Sequence, residues 1–479
     1  MIDRVIARNV ASRLLAKILS YGLGLTASVM LVRYLGVERL GQFHYASTFA
    51  SLFGLLASLG LPILLTRDAA RDKTSAGSAL GAVMVLQGAL SLLSLVLIVV
   101  SGVLFNPPEL ALPIAILGVG VAVHALATPS VAVLNAFERM DISAAIDVGG
   151  TLLRVALILV AIRLGLDLVG LVLVLALSPI AYLVATRLAA DRCATRPRID
   201  VNVARLRALL VSTVPFALMV VFNNLYFRID IIMLEKMRGD AAVGVYSAAY
   251  KFVDALLLIG SNIAGVLYPR MAALSGPDPR ELRRTVETAF RFMAALGVPS
   301  ASAMTILAPW LVPSLFGEGF GASVLALQVL IWAIALMFMY MPLVHCLNAI
   351  GREWQWVLVL ILNTAINIGL NFVLIPWYGT VGAAASTVLC EGAGLVLVAW
   401  VVRRVGPVGY VRTLARVLVA SALMSVVLSS FHEIGVVTAV TLAAATYVGA
   451  LYGLRILTVQ ERTALLGWFR SLGAHGVAR

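Results

Sequence analysis

The run Pro215-Phe216-Ala217-Leu218-Met219-Val220-Val221-Phe222-Asn223-Asn224-Leu225-Tyr226-Phe227-Arg228-Ile229-Asp230 breaks at Lys236-Met237-Arg238-Gly239-Asp240. It resumes as Gly244-Val245-Tyr246-Ser247-Ala248-Ala249-Tyr250-Lys251-Phe252-Val253-Asp254, and the two arms together decide how the chain is read. Each arm belongs to an apolar stretch long enough to cross a bilayer, which takes about 20 residues. Yet Arg228, Asp230, Lys251 and Asp254 stand inside them. Charge at membrane depth costs several kcal/mol unless it faces a bundle interior or a wet cavity. The two segments are therefore expected to line something polar. With the break at one membrane face, Arg228 and Lys251 lie at similar depth, roughly 10 Å in at 1.5 Å per residue, placed to flank one cavity.

Composition extends this reading to the whole chain. Of 479 residues, 61% are hydrophobic and 12% charged, far from the balance of a soluble domain. An all-α integral membrane protein is expected. The net charge of +13 is spread among apolar segments, with no basic cluster interleaved with aromatics, so no nucleic-acid partner is expected. Cys193, Cys346 and Cys390 are widely separated and read as packing residues rather than as disulfides or metal ligands. No phosphate-binding Gly-Lys-Ser/Thr loop and no Cys or His pairing at metal spacing occurs, which excludes ATP hydrolysis within this chain and leaves no cofactor to expect.

Windows of about 20 residues give fourteen candidate spans, from 14–34 to 435–457. Six precede residue 200, six lie between 208 and 402, and two follow at 412–431 and 435–457. The basic start, Arg4, Arg8, Arg13 and Lys17, precedes a run that ends without a small-residue cleavage pattern, so it reads as a retained first span with its amino end in the cytoplasm. Lys and Arg in short loops collect on the cytoplasmic side. On this register 28 of the 36 lie in inner segments and five, Arg33, Arg39, Arg163, Lys236 and Arg238, lie outside. Both termini are then cytoplasmic, in a multi-pass protein of the inner (plasma) membrane.

An internal repeat organises these spans. Leu134-Asn135-Ala136 followed by Arg139 recurs 213 residues later as Leu347-Asn348-Ala349 followed by Arg352. Val169-Gly170 matches Val381-Gly382 at 212, and Leu40-Gly41-Gln42-Phe43 matches Val243-Gly244-Val245-Tyr246 at 203. Each half carries six spans in one orientation, a parallel repeat about an axis along the membrane normal. The expected domains are a first lobe over 1–200, a second over 201–405, and two further helices with a tail over 406–479.

Arg33-Tyr34-Leu35-Gly36, Leu40-Gly41-Gln42-Phe43, Leu59-Gly60-Leu61 leading to Thr66-Arg67, Gly244-Val245-Tyr246-Ser247-Ala248-Ala249 and both Leu-Asn-Ala turns give the chain its family likeness. Over essentially its whole length it resembles the polysaccharide (O-antigen, Wzx-type) flippases of the multidrug/oligosaccharidyl-lipid/polysaccharide exporter superfamily. The resemblance implies two six-helix lobes, alternating access, and a polyprenyl-pyrophosphate-linked oligosaccharide moved from the inner to the outer leaflet. Its partners would be membrane lipids and glycan polymerases or glycosyltransferases.

Such a cargo needs cations for the pyrophosphate and amides or hydroxyls for the sugars. The candidates are Arg13 and Lys17 at the inner mouth of the first span, Arg154 near mid-depth in the fifth, and Asn223, Asn224, Arg228 and Lys251 in the opening stretch. Arg228 with Asp230, and Lys251 with Asp254, read equally as charge pairs that lock helices. Asp230, Asp254 and Glu391 are the candidate ion-coupling groups. Asn363, Asn367 and Asn371 place three amides on one helix face, suited to interhelical hydrogen bonds or to sugar. His124 and His345 read as packing residues. The alternatives of function are an ion-coupled small-molecule or drug exporter of the same superfamily and a membrane polymerase or ligase of lipid-linked glycans. The latter usually requires a large outer loop or a juxtamembrane carboxylate cluster, neither of which is visible.

Overall fold

The computed structural model of the chain describes residues 2–199, 203–274, 279–403, 410–454 and 456; the side chains of residues 1–19 lie outside that description. All the regular structure described is helical. The longest elements are α1 (Ile2–Gly54) and α13 (Glu353–Val402), of 53 and 50 residues. Both exceed any single crossing, and both break at a glycine in a conformation other residues avoid, Gly36 at φ 69° and Gly379 at φ 57°. Each therefore supplies two spans.

Between them run α2 (Leu61–Arg71), α3 (Ala76–Phe105), α4 (Pro108–Ala136), α5 (Met140–Arg163), α6 (Leu168–Leu175), α7 (Leu177–Cys193), α8 (Val203–Arg238), α9 (Asp240–Leu274), α10 (Pro279–Phe316), α11 (Ser323–Leu330) and α12 (Trp332–Ala349). α14 (Tyr410–Ser429), the short α15 (Phe431–Ile434) and α16 (Val436–Gly453) complete the chain. Among the described residues ten helical stretches, α13 counted once and α6–α7 and α11–α12 each as one, are long and apolar enough to span by composition alone. The break in α13, the two halves of α1 and the charge-bearing α8 bring the crossings to fourteen, as expected.

The chain forms two compact units. The first comprises 1–248 with 315–320 and 371–380, the second 249–314, 321–370 and 381–479. In the first, Leu61, Leu65, Leu80, Val83, Ala132 and Val133 of α2, α3 and α4 form a buried core. In the second, Met271, Val286, Phe290, Met339, Leu343 and Val398 do the same. Large apolar residues elsewhere point outward, Trp377 at 79% and Val411 at 83% exposure. On a water-facing surface this would be costly; against lipid it is the ordinary arrangement.

Inside the first unit α1 meets the start of α9 at two glycines. A methyl group built on Gly41 would lie 1.8 Å from the Asp240 carbonyl oxygen, and one on Gly244 would lie 1.9 Å from that of Val37. These are one contact seen twice, because Gly41 and Gly244, like Val37 and Asp240, are 203 residues apart. The backbone approach needs hydrogen at both positions. Gln42 adds a hydrogen bond from Nε2 to Asp240 Oδ2, 3.2 Å.

Three of the five cations expected on the outer side have a shared explanation. The Arg33 guanidinium donates to Leu315 O in the last turn of α10, 2.7 Å. Lys236 donates to Phe105 O at the end of α3, 3.0 Å, and to Asn106 Oδ1, 3.1 Å. Arg238 donates to the carbonyls of Ile375, 3.2 Å, and Pro376, where α13 approaches its break. Helix C-terminal carbonyls lack intrahelical partners and carry the negative end of the helix dipole, so each cation is held where it is most useful.

On the opposite end, Asp72 in the α2–α3 turn accepts from the Thr74 amide, 2.9 Å, and the Thr74 hydroxyl, 2.6 Å. The hydroxyl bonds of Thr74 and Ser75 hold its carboxyl down at about 2. The folded value lies below the ordinary 3.8, so the turn's contribution to stability is present above that pH and is lost as pH falls towards 2. Asp72→Ala should lower the melting temperature of the purified protein more at pH 6 than at pH 2.5. An equal difference at both would remove this assignment.

Candidate functional site

A cavity of about 760 Å³ lies within the first unit, walled by α1, α4, α5, α6 and α7. Helical spacing delivers its polar groups. Asp147, Gly150, Thr151 and Arg154 recur along α5 at three- and four-residue steps and so share one face. Ser47 and Ser51 do the same on α1, with Ser58 just beyond; His124 and Thr128 face in from α4, Ser178 and Tyr182 from α7.

The carboxylate end of the site is organised. Tyr182 donates its hydroxyl to Asp147 Oδ1, 2.8 Å, and its ring stacks on His124 with centroids 5.1 Å apart. Buried Gln87 on α3 donates to Thr128 Oγ1, 2.8 Å, fixing that wall of α4. Thr151 returns its own proton to the Asp147 carbonyl, 2.9 Å, and Thr128 to that of Ala125, 2.9 Å. Both hydroxyls therefore act as acceptors, Thr128 towards Gln87.

The cationic end is a single guanidinium. Arg154 lies two turns along α5 from Asp147, about 10 Å at 1.5 Å per residue. It stands in an apolar span, and its side chain is exposed and lines the cavity. Among the described residues no carboxylate or other side chain pairs with it. A guanidinium in such a setting has the donors and the charge to hold an anion.

Two family models match. One for polysaccharide biosynthesis proteins covers residues 6–275, more than half the chain and every helix that walls this cavity. The chain belongs to that family. A second, MatE, covers 215–374. Among curated relatives of this polysaccharide biosynthesis protein, the probable flippase AglR of Haloferax volcanii is 26% identical over 176 residues, 36% of this chain and 37% of that one. The capsular polysaccharide biosynthesis protein CapF of Staphylococcus aureus is 23% identical over 197 residues, 41% and 50%. The match thus spans half or less of either relative.

Among solved structures, the lipid II flippase MurJ in an inward closed conformation aligns over 91% of this chain and 97% of its own, with TM-score 0.77 and 13% identity. An inward-facing multidrug resistance MATE family transporter of the MOP superfamily aligns over 81% and 94%, at 0.69 and 19%. These carry the fold.

The family member's other candidate residues divide between the units. In the first, Asp230 is buried and its carboxylate accepts from the Tyr246 hydroxyl, 2.5 Å, and the Ile231 amide, 2.9 Å. Among the described residues no ion pair joins it to Arg228, which is exposed. The Asn224 amide is spent on the Val220 carbonyl, 2.9 Å, while Asn223 is exposed. Lys251 and Asp254 fall in the second unit, with Asp254 exposed. There Glu391 is fully buried and bonded to Tyr340.

Asn363 and Asn367 are buried where the two halves of α13 meet, Cys390 Sγ donating to Asn363 O, 2.9 Å, and Ser386 to Asn367 O, 3.3 Å. Asn371 is buried as well. The side chains of Arg13 and Lys17 lie outside the described residues. His124, expected to be packing, instead lines the cavity wall; His345 packs against Tyr268, centroids 5.6 Å apart.

Sequence reading picked out Arg154 and missed Asp147, Tyr182 and the hydroxyl rim. The signal was available in α5, where the 147–150–151–154 spacing forms a polar stripe in an otherwise apolar span.

Proposed function

We propose that the chain is a flippase that carries a polyprenyl-pyrophosphate-linked oligosaccharide from the inner to the outer leaflet by alternating access, for assembly of a cell-surface polysaccharide. The observation that supports this reading is the Arg154 guanidinium, with no pairing side chain among the described residues, in a largely apolar cavity that also presents Asp147 and the hydroxyls of Ser47, Ser51, Thr128, Thr151 and Tyr182. A lipid pyrophosphate supplies the missing anion, its sugars match the hydroxyls, and its tail stays in lipid. Arg13, Lys17, Arg228 and Lys251 are further candidate contacts along the route. The same proposal includes lobes over 1–200 and 201–405, cytoplasmic termini, residence in the inner membrane, and service to glycosyltransferases inside and a polymerase outside.

Deleting the gene tests it. Cells without the protein should accumulate glycan-charged carrier lipid whose sugars face the cytoplasm. Accumulation of flipped, unpolymerised units on the outer face would point to a polymerase or ligase instead. Unchanged carrier lipid together with lost resistance to small cationic compounds would point to an ion-coupled exporter.

A further inference from the structure

Alternating access needs helices that change shape, and α10 in the second unit is built to bend. Proline has no N–H to give the carbonyl four residues back, and its ring pushes that carbonyl aside. Pro299 thus frees the carbonyl of Ala295, and Pro309 that of Thr305. Between them Ser300, Ser302 and Thr305 turn their hydroxyls back onto the carbonyls of Leu296, 2.7 Å, Val298, 3.0 Å, and Ala301, 2.9 Å, which loosens the helix further. We propose that this stretch, 295–309, is a hinge and that α16 latches it through Tyr447. The inference rests on the alternating-access reading and names a moving part within it.

Three observations carry it. First, a bilayer offers a freed carbonyl no water, so another donor must serve it. Gln328 Nε2 of α11 donates to Thr305 O, 2.9 Å, and the Tyr447 hydroxyl of α16 donates to Ala295 O, 2.6 Å. These are the two carbonyls that the prolines leave open, so the bonds stand at the two ends of the stretch. Second, α10 is anchored on one side of it. The residues that α10 gives to the core of the second unit, Leu282, Val286, Ala289, Phe290 and Ala294, all precede Pro299. Gly297 tightens that hold, since a methyl group there would lie 3.1 Å from Ala335 Cα of α12. Third, α16 is held lightly. Its buried face is Ala439, Ala443 and Tyr447, at four-residue steps, while Val437, Leu442 and Val448 face outward. Two alanines bury little area, which leaves the phenol as the polar tie of that face. The first unit shows the contrasting arrangement. There Pro129 frees the Ala125 carbonyl, and fully buried Gln87 takes it while also bonding Thr128. A donor fixed twice in a closed core is a staple; a single bond from a helix with three faces outward can part and re-form.

The bend is read directly by spin labels on either side of the hinge. They are placed at Phe292→Cys and Trp310→Cys, both exposed, in the full-length protein carrying Cys193→Ser, with Cys346 and Cys390 buried. The two positions lie about 27 Å apart along a straight helix at 1.5 Å per residue, and bending shortens the distance. Tyr447→Phe keeps the ring and removes the donor. The latch predicts that the population at shorter distance gains about 2- to 12-fold in weight, the worth of one ordinary hydrogen bond. Pro299→Ala returns an N–H to the Ala295 carbonyl, so in that background Tyr447→Phe should leave the distances unchanged. A merely structural role for Tyr447 would give the same change in both backgrounds. That result, or distances that ignore Tyr447→Phe altogether, overturns the proposal.

If Tyr447→Phe lowers the amount of folded protein, recovery of that amount by Pro299→Ala is the same prediction read as yield, and failure to recover overturns it. The distances need no cargo, which separates this inference from the reading beneath it. Distances that respond as predicted, in a protein that carries no lipid-linked sugar, keep the latch and remove the flippase. Distances that do not respond, in a protein that does carry it, remove the latch alone.

Discussion

Arg154→Gln is expected to lower export of the glycan by roughly 10- to 150-fold, corresponding to about 1.5–3 kcal/mol for a charge-assisted hydrogen bond. The amount of protein in the membrane should not fall. Glutamine keeps most of the volume and some donors but loses the charge, and the wild-type charge has no pairing side chain among the described residues to be left orphaned. Truncating one member of a buried ion pair behaves oppositely, destabilising the fold by leaving its partner uncompensated. Arg154→Lys should recover only part of the activity, because an ammonium cannot present the two parallel N–H groups that a phosphate accepts. Surface polysaccharide measured beside protein level checks both statements. Equal export by the glutamine variant, or loss of export that tracks loss of protein, would remove Arg154 from the transport route.

The second large effect belongs to the glycine crossing. Gly41→Ala and Gly244→Ala each force a methyl group to within 2 Å of a backbone carbonyl oxygen, where no side-chain rotation gives relief. Overpacking of this kind costs about 1–3 kcal/mol. Since both methyls press the same two helices apart, the first opens room for the second. The double variant should therefore be less destabilised than the sum of the singles, a coupling that distant sites do not show. Denaturation of the four proteins in one detergent reads this cycle. Single variants within 0.5 kcal/mol of the wild type would show that the crossing does not hold the first unit together.

How much of this was legible depends on the range of the interaction. The crossings follow from runs of apolar residues, a local signal, and so does the break at Gly36, which the loop-like Arg33-Tyr34-Leu35-Gly36 announces. The division of the sixth span into α6 and α7 at Ala176 is marked by Pro179, which has no N–H to give the Leu175 carbonyl at the end of α6. The cavity was half legible. Arg154 stands out as a charge in an apolar span, but Asp147 gains meaning only when α5 is phased at 3.6 residues per turn, and His124, Tyr182 and Ser47 arrive from three other helices. The opening stretch shows the same limit. Depth below Gly239 pairs Asp230 with Tyr246 as readily as Arg228 with Lys251, yet attention to charge alone passed over the tyrosine. Arg33, Lys236 and Arg238 were read by topology, whereas their carbonyl partners are more than a hundred residues away in the chain.

Translocation of an anionic lipid-linked sugar is measured directly in vesicles of purified components. The full-length protein is reconstituted with a polyprenyl-diphosphate-linked sugar, and arrival of the head group at the outer surface is followed by capture with a membrane-impermeant lectin. Fast capture of the inner pool with the wild type, falling to the protein-free rate with Arg154→Gln, is the predicted result; a wild-type rate no faster than that of protein-free vesicles would contradict it.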